Sequence, residues 1–267
     1  MSNKKKEVLL KLYDICEKKA DFTFDNNLVK KISGELGFTN QFDATKLDTK
    51  EKLPEFFREN DIALIHLGNG AHKFIKGINK VYHDFETIST DIEWEYKQSI
   101  LNMSNSSESN ILSIANNQRI LHKFLFGTDK EFHDVDILKR PKTYFPHRTK
   151  TDLEYNVGND IVVSLKSIQI EIDLTIEFKG IVGVFEAKNG QPLNFSIYQL
   201  YHPYLYYYNL DKKKLLPKKL KSINCVYVVR QIINNVTIIK LWCYKFDKPN
   251  DLTSIKLVKS ANYILKA

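Results

Sequence analysis

The chain has 267 residues, of which 43% are hydrophobic and 27% charged, values that are ordinary for a globular protein and exclude collagen-like and disordered classes. The formal net charge of +8 favours a polyanionic partner such as nucleic acid, although an ordinary basic surface would give the same balance. Three distant cysteines without a CxxC pair argue against zinc ribbons and iron–sulfur clusters, and no apolar run approaches the roughly 20 residues of a membrane span. We therefore expect a soluble protein of the reducing cytoplasm.

The N-terminal region is predicted to be mainly helical and to end in a β-hairpin. Apolar residues at helical spacing and capping residues predict three helices, at residues 6–19, 26–36 and 50–59. The turn Gly68-Asn69-Gly70 separates two predicted strands, at residues 61–67 and 72–78. Three helices and a hairpin are compatible with a winged-helix module and equally compatible with a plain helical extension.

The middle of the chain combines loop signals with one predicted helix. A stretch rich in serine and asparagine, residues 102–110, leads into a predicted helix at residues 109–125. Residues 128–160 carry most of the remaining loop signals, including Arg140-Pro141-Lys142 and Pro146-His147-Arg148. Further downstream, one tyrosine-rich helix and two strands are predicted at residues 194–208, 223–232 and 236–246.

A β-hairpin at residues 161–188 carries the pattern with chemical potential. Apolar and polar residues alternate from Ser167 to Phe178, which predicts a strand with one buried face. A two-residue turn at Lys179-Gly180 joins it to an apolar strand at residues 181–188. This turn sets the predicted register, with facing pairs Phe178–Ile181, Thr175–Val184, Asp173–Glu186 and Glu171–Lys188.

Two carboxylates are therefore expected to face each other across this hairpin. The Cβ atoms of Asp173 and Glu186 would lie about 4.5–5.5 Å apart, and at an effective dielectric of about 20 their repulsion would cost on the order of 3–4 kcal/mol. A divalent cation between them reverses the sign of that energy, and hard oxygen ligands suit Mg²⁺. Such a metal polarises a phosphate and lowers the pKa of a bound water, while Lys188 can hold or deprotonate the attacking water. Glu171 would orient Lys188 or bind a second metal.

The spacing acid-x-Lys has little specificity alone, because the chain contains six copies: Glu17–Lys19, Asp48–Lys50, Glu95–Lys97, Glu177–Lys179, Glu186–Lys188 and Asp211–Lys213. Most of them fall on predicted helices or turns, where solvated charge is the default. Only Glu186-Ala187-Lys188 interrupts an apolar strand, where burial makes unused charges costly. The alternative interpretation is an exposed strand face with scattered charges.

Ile172-Asp173, followed on the next strand by Glu186-Ala187-Lys188, resembles the PD-(D/E)xK nuclease superfamily, which includes most type II restriction endonucleases. Ile172 replaces the proline that names the motif, a position that varies among members. The firm part of the resemblance covers residues 155–245. It implies a restriction-endonuclease-like α/β core, in which helices flank a central mixed β-sheet. It also implies Mg²⁺-dependent cleavage of double-stranded DNA, with Asp173 and Glu186 as metal ligands and Lys188 as their catalytic partner.

Two further residues resemble auxiliary positions of the superfamily. Gln199 lies on the helix after the second catalytic strand, where many members place a polar residue facing the metal. Glu108 opens the helix before the catalytic strands and resembles an upstream glutamate that reaches the same metal, with Glu95 as the competitor for this role. The simpler interpretations are a solvated surface residue for Gln199 and a capping residue for Glu108.

Basic residues near the predicted catalytic strands are candidates for contacts with the DNA backbone. They are Arg119 and Lys123, one helical turn apart, and the loop residues Lys139, Arg140, Lys142, Arg148 and Lys150. Each alone is more simply an ordinary solvated charge. Tyrosines at positions 204 and 206–208 invite base stacking, but an aromatic helix face packed on the sheet is the commoner arrangement.

The sequence thus predicts an N-terminal helical, winged-helix-like DNA-recognition region at residues 1–89 and a nuclease domain at residues 90–267. A type II restriction endonuclease fits best, working as a homodimer to cut both strands and encoded beside a protective DNA methyltransferase. Two alternatives stay open. One is another nuclease of the superfamily, acting in repair, junction resolution or transposon-end cleavage, and the other is a non-catalytic DNA-binding protein.

Overall fold

The computed structural model describes residues 3–97, 107–128 and 136–266. The α-helices in these ranges are α1 Asn3–Lys19, α2 Asn26–Glu35, α3 Glu55–Glu59, α4 Glu108–Asn117, α5 Ile120–Phe126 and α6 Tyr198–Lys212. The strands are β1 Thr23–Asp25, β2 Ile62–Gly68, β3 Ala71–Lys76, β4 Tyr82–Asp84, β5 Asp91–Glu95, β6 Lys142–Tyr144, β7 His147–Val157, β8 Ile161–Ile172, β9 Leu174–Phe178, β10 Ile181–Asn189, β11 Asn194–Ser196, β12 Ser222–Ile233, β13 Val236–Phe246 and β14 Ile255–Lys266. Across these ranges, no helix combines the length and apolar character needed to cross a bilayer.

The N-terminal region packs three helices against a small antiparallel sheet with strand order β1-β3-β2. The carboxylate of Asp25 caps α2 by accepting a hydrogen bond from the Leu28 amide at 2.9 Å. The third predicted helix is shorter than expected, with a 3₁₀ turn at Lys50–Lys52 and α3 beginning only after Pro54. Proline has no amide hydrogen, so a helix cannot continue through it with an intact hydrogen-bond ladder.

The predicted hairpin after these helices is confirmed and forms strands β2 and β3. Its turn packs closely on the rest of the molecule, since a Cβ atom on Gly68 would lie 3.1 Å from the Leu165 Cα of β8. Gly68 also has a φ of +83°, which an L-residue rarely adopts. The hairpin tip is therefore fixed against β8. Strands β4 and β11 pair with each other and add a second connection between the two halves of the chain.

A seven-stranded mixed sheet with order β5-β14-β13-β12-β10-β9-β6 forms the centre of the molecule. Strands β10 and β12 are parallel, as are β14 and β5, and the other neighbours are antiparallel. Side chains alternate between two buried cores, with Val184 and Tyr227 in the first and Phe185 and Val226 in the second. Helix α6 covers the first core, and α4 and α5 cover the second. The expectation of a mixed sheet flanked by helices is confirmed.

The strand predicted over residues 161–178 is divided at Asp173, where the backbone bends. Strand β8 pairs with β7 in a separate two-stranded ribbon, while β9 enters the main sheet. The apolar alternation continues across the bend, but the apolar side chains before and after it are buried in different cores. Ile170 and Ile172 are buried in the first core, whereas Leu174 and Ile176 are buried in the second. Asp173 therefore lies where the chain passes from one core to the other.

The register predicted for the second hairpin is confirmed in its main part. Phe178 pairs with Ile181 and Thr175 with Val184, around a turn whose residues Lys179 and Gly180 both have positive φ. The predicted facing of Glu171 and Lys188 is wrong. The bend at Asp173 carries Glu171 out of the sheet onto β8, where its carboxylate forms an ion pair with Arg148 of β7.

Two other predicted elements differ from the structure. The helix expected at residues 109–125 is interrupted at Arg119, whose φ of +63° ends α4 and starts α5. Strands β6 and β7 occupy a large part of residues 128–160, where loops were expected. The side chains of β7 alternate in burial, but its polar outward positions hide this period in the sequence. Part of that range and most of the predicted serine- and asparagine-rich loop lie outside the described residues.

Candidate active site

The bend at Asp173 and the end of β10 bring two predicted acids together. The ladder between β9 and β10 ends at the pair Leu174–Phe185, so Asp173 and Glu186 are the next residues on each side. The Asp173 carboxylate accepts a hydrogen bond from the backbone amide of Ala187 at 3.2 Å. This bond ties Asp173 to the Glu186-Ala187-Lys188 stretch of β10 after the regular strand pairing has ended.

Lys188 joins two carboxylates at the end of β10. Its Nζ atom lies 2.9 Å from Glu186 Oε1 and 2.8 Å from Glu108 Oε1. Glu108 comes from the first turn of α4, whose N-terminus is capped by the Ser107 hydroxyl. The side chains of Lys188 and Glu186 are 26% and 15% exposed, so this ion cluster is only partly open to solvent.

Gln199, on the first turn of α6, completes the contacts of Glu186. Its Nε2 atom donates a hydrogen bond of 2.9 Å to the same Glu186 oxygen that contacts Lys188. The other polar atom of the amide, Oε1 of Gln199, is buried and finds no hydrogen-bond partner among the described residues. Leaving such an acceptor unpaired costs about 1–3 kcal/mol, so an unpaired polar oxygen remains beside Glu186.

The environment raises the pKa of both acids. Burial, followed by the repulsion from Asp173 and Glu108, raises the pKa of Glu186 to about 7, although Lys188 acts in the opposite direction. Burial also raises the pKa of Asp173, against the hydrogen bond from Ala187 and the attraction of Lys188. Burial lowers the pKa of Lys188, but Glu186 and Glu108 more than offset it and hold the pKa above its ordinary value. Negative charge is therefore crowded at this point.

The arrangement as it stands is an amine-bridged acid cluster. Within residues 3–97, 107–128 and 136–266, no three His, Cys, Asp or Glu side chains converge closely enough to form a metal-binding group. The ammonium of Lys188 touches both Glu186 and Glu108, and it supplies the positive charge that these acids share. Carboxylate and amide oxygens are nonetheless the donor types that Mg²⁺ prefers.

The remaining predicted residues divide between the two faces of the sheet. Arg148 contacts Glu171 on the ribbon beside Asp173, and Lys142 forms an ion pair of 3.0 Å with Glu177 on β9. Arg140 lies two residues before β6 and is half-buried. In contrast, Arg119 and Lys123 are associated with α5, which packs on the opposite face from α6.

Sequence reasoning missed two tyrosines, and it left Glu95 as an alternative to Glu108. Buried Tyr227 of β12 pairs in parallel register with Glu186, and Tyr198 begins α6 beside Gln199. Burial raises the pKa of both phenols, and Glu186 adds to the shift. The sequence does not show that β12 is the neighbour of β10, so no local signal identified them. The alternative acid Glu95 ends β5, which β14, β13 and β12 separate from β10.

A second polar cluster lies between the N-terminal hairpin and α6. Nδ1 atoms of His66 and His72 are 2.8 Å apart, His72 Nε2 contacts Asn26 Oδ1 at 2.9 Å, and His202 Nε2 contacts the Tyr155 hydroxyl at 3.0 Å. Burial lowers the pKa of His72 to about 4 and that of His202 to about 3. These imidazoles are neutral at pH 7 and hydrogen-bonded, which is the pattern of a structural cluster.

Two family models match the chain. One, described as "Domain of unknown function (DUF6997)", matches residues 77–264 and so includes the whole amine-bridged acid cluster. The other, described as "Domain of unknown function (DUF6996)", matches residues 5–74. The two matches meet at the end of β3. No curated protein and no solved structure matches the chain.

Proposed function

This chain belongs to the family described as "Domain of unknown function (DUF6997)", and we propose that it is a Mg²⁺-dependent endonuclease of the PD-(D/E)xK type. It would hydrolyse phosphodiester bonds in double-stranded DNA, with Asp173, Glu186 and Lys188 as its central residues. Among enzymes of this type, we propose a type II restriction endonuclease that reads a specific sequence.

One observation carries the proposal: at the end of an apolar strand, Glu186 and Glu108 both contact the amine of Lys188, and Asp173 is near enough to act on them electrostatically. Asp173, Glu186 and Glu108 all act electrostatically on Lys188 and on one another. Fully ionised, they exceed the positive charge of Lys188 by two units. Burial makes such an excess costly for stability. A divalent cation has the charge that compensates it, so the cluster is better suited to binding than to holding the fold together.

The donor atoms in this cluster are of the chemical type that magnesium prefers. Asp173, at the bend before β9, and Glu186, on β10, provide carboxylate oxygens, Glu108 provides a third from α4, and Gln199 presents a buried, unpaired Oε1 nearby. When bound, Mg²⁺ would polarise the scissile phosphate and lower the pKa of an attacking water.

The chain's own residues then have distinct tasks. Ala187 and Gln199 orient the carboxylates of Asp173 and Glu186 through hydrogen bonds, which fixes them without using their free oxygens. Lys188 would exchange its contacts with Glu186 and Glu108 for the phosphate, where its charge offsets the negative charge that develops during hydrolysis. Its raised pKa keeps it protonated at pH 7, which suits electrostatic stabilisation better than proton abstraction.

The substrate proposal rests on charge and position. The chain has a net charge of +8, and five basic residues without an acid lie between Ile137 and Thr151, just before and at the start of the β7–β8 ribbon that leads to Asp173. Neutralising phosphates with such residues favours DNA through counterion release. Arg140, Lys142 and Arg148 are the proposed backbone contacts on the face of the acid cluster, whereas Arg119 and Lys123 would need a separate stretch of DNA.

The N-terminal region has a winged-helix-like order of elements, with helices α1 to α3 and a sheet ordered β1-β3-β2. Because its hairpin tip packs on Leu165 of β8, the hairpin is engaged within the molecule. We propose that the helical side of this region helps to read the sequence, and that α2, with exposed Lys30 and Lys31, meets the DNA backbone.

Cutting both strands would be achieved by a homodimer, and a DNA methyltransferase would protect the host.

Supercoiled plasmid provides the test. Wild-type protein incubated with Mg²⁺ should give nicked and then linear DNA, and EDTA should prevent both. Asp173→Asn, which keeps the size of the side chain and removes its charge, should bind the plasmid without nicking it. Ends that map to one sequence would support a restriction enzyme, and ends at junctions or transposon termini would support another nuclease of the superfamily. Binding without nicking by the wild type in Mg²⁺ and in Mn²⁺ would contradict the nuclease proposal.

A further inference from the structure

An exposed aromatic corner lies directly beside Asp173. Strand β6 pairs with β9 up to Tyr144–Thr175, and β7 pairs with β8 from His147–Ile172 onward. The two ladders keep one common register, so Phe145 and Pro146 face the point at which the chain bends between β8 and β9. Pro146 has no amide hydrogen and cannot continue the ladder, so the strand opens there and forms a corner at the acid cluster.

This corner exposes apolar surface that folding does not use. Phe145 is 78% exposed and the adjacent Tyr144 is 50% exposed. Covering an aromatic side chain of this size removes apolar surface from water and therefore favours binding. The corner thus has a large apolar side chain beside the reaction site with no described residue to cover it.

The chemistry around the corner indicates what covers it. Five basic residues and no acid occur between Ile137 and Thr151, and the cations nearest in sequence to Phe145 are Lys142 and Arg148. A partner that is negatively charged outside and aromatic inside matches this combination, and double-stranded DNA has that composition. Apolar side chains inserted between base steps are a known means by which proteins kink a duplex.

We propose that Phe145 inserts into the DNA at the base step next to the scissile phosphate, with Tyr144 supporting it. This inference rests on the proposed nuclease function, because it takes DNA as the substrate held at Asp173. The basic residues on either side, Lys142 and Arg148, exchange their ion pairs with Glu177 and Glu171 for the two flanking phosphates while the step opens. Opening the step bends the duplex toward the acid cluster and exposes the phosphate to Lys188.

A bending assay and a cleavage assay test this together. A duplex of about 30 base pairs, spanning a mapped cleavage position and labelled at both ends for energy transfer, is bound in Ca²⁺ so that it is not cut. Wild-type protein should shorten the distance between the ends. Phe145→Ala should abolish that change and should reduce binding and Mg²⁺-dependent cleavage roughly 10- to 100-fold. Phe145→Leu, which keeps an apolar wedge, should restore most of both.

Leu215 provides a control, because it is an exposed apolar residue, at 65%, that follows α6 and has no proposed part in binding or catalysis. Leu215→Ala should bend and cleave as the wild type does. If Phe145→Ala also behaves as the wild type on DNA that the wild type cleaves, the wedge is wrong and the nuclease proposal stands. If Phe145→Ala converts a dimer into a monomer in sedimentation while leaving the bend of bound DNA unchanged, the corner binds a second copy of the chain and the wedge is again wrong. If the wild-type protein cleaves no DNA, the proposed function itself is contradicted.

Discussion

Glu177 on β9 and Glu186 on β10 each precede a lysine by two residues on the same hairpin, yet their carboxylates meet opposite environments. Glu177 accepts hydrogen bonds from the Gly180 amide and from Lys142, at 3.0 Å each, and these outweigh burial and lower its pKa. Glu186 is more deeply buried and is crowded by Asp173 and Glu108, which raises its pKa to about 7. The fold stabilises the charged form of Glu177 and destabilises that of Glu186.

The acid-x-Lys spacing alone therefore does not define a site. Both copies place an acid and a lysine on the same strand face or at its end. They differ in whether a neighbouring strand contributes another acid, which happens only where the chain bends at Asp173. Under the proposed function only the crowded copy binds a metal, so variants of Glu186 and Glu177 form a matched pair.

The largest difference between the two copies should appear in cleavage. Glu186→Gln removes a proposed metal ligand while keeping the hydrogen-bonding size of the side chain, so nicking of plasmid in Mg²⁺ should fall by at least about 1,000-fold. Glu177→Gln should cleave within about twofold of the wild type, because Glu177 contributes only to local structure. An equal loss of cleavage in the two variants would show that the crowding of Glu186 has no role in function.

Gln199→Met should produce the next largest effect. It removes the hydrogen bond that orients Glu186 and the unpaired Oε1 atom, so cleavage should fall roughly 10- to 100-fold. Without metal, the variant should be no less stable to urea than the wild type, because the costly unpaired acceptor is also removed. A variant that is strongly destabilised and normally active would place Gln199 in the fold and not in the reaction.

Variants of Lys188 and Lys179 test the same difference between the two acid-x-Lys copies through the stability of the fold. In EDTA, Lys188→Met leaves Glu186 and Glu108 without their shared cation, so the free energy of unfolding should fall by about 1–3 kcal/mol. Mg²⁺ should recover more stability in this variant than in the wild type, because the metal replaces the lost charge. Lys179→Met is the control, since Lys179 lies over the Phe178 ring at a turn and should change stability little.

The pH dependence of stability should be smaller but diagnostic in sign. A carboxyl group whose folded pKa is raised stabilises the fold below its unfolded pKa, and that stability is lost as pH rises through the folded pKa. For Glu186, this window runs from 4.5 to about 7. In EDTA, the wild type should therefore lose stability relative to Glu186→Gln across this range. Comparing the two proteins cancels His72 and His202, whose lowered pKa values act in the opposite direction.

The sequence was sufficient for the β9–β10 hairpin because its register depends on local features. A two-residue turn at Lys179-Gly180 and a period of two specify which residues face each other, and pairs such as Thr175–Val184 follow directly. The bend at Asp173 was not predictable in this way. Ile172 and Leu174 continue one apolar alternation, and only the complete fold shows that they are buried in different cores.

The rest of the candidate site depends on contacts between distant parts of the chain. Glu108 was identified by its resemblance to a helical acid, but its ion pair with Lys188 spans 80 residues and requires α4 to pack beside β10. Tyr227 was missed because a parallel neighbour leaves no local signal of which strand lies next to β10. The exposed Phe145 was likewise hidden, since the sequence shows a Phe-Pro loop and not its position opposite Asp173.

Binding of Mn²⁺, a substitute for Mg²⁺ that calorimetry can follow, tests most directly whether the crowded acids share a cation. The wild type and Glu177→Gln should bind Mn²⁺ with the same affinity, and both Asp173→Asn and Glu186→Gln should bind it at least about tenfold more weakly. Equal Mn²⁺ affinity in all four proteins would contradict a metal site between Asp173 and Glu186.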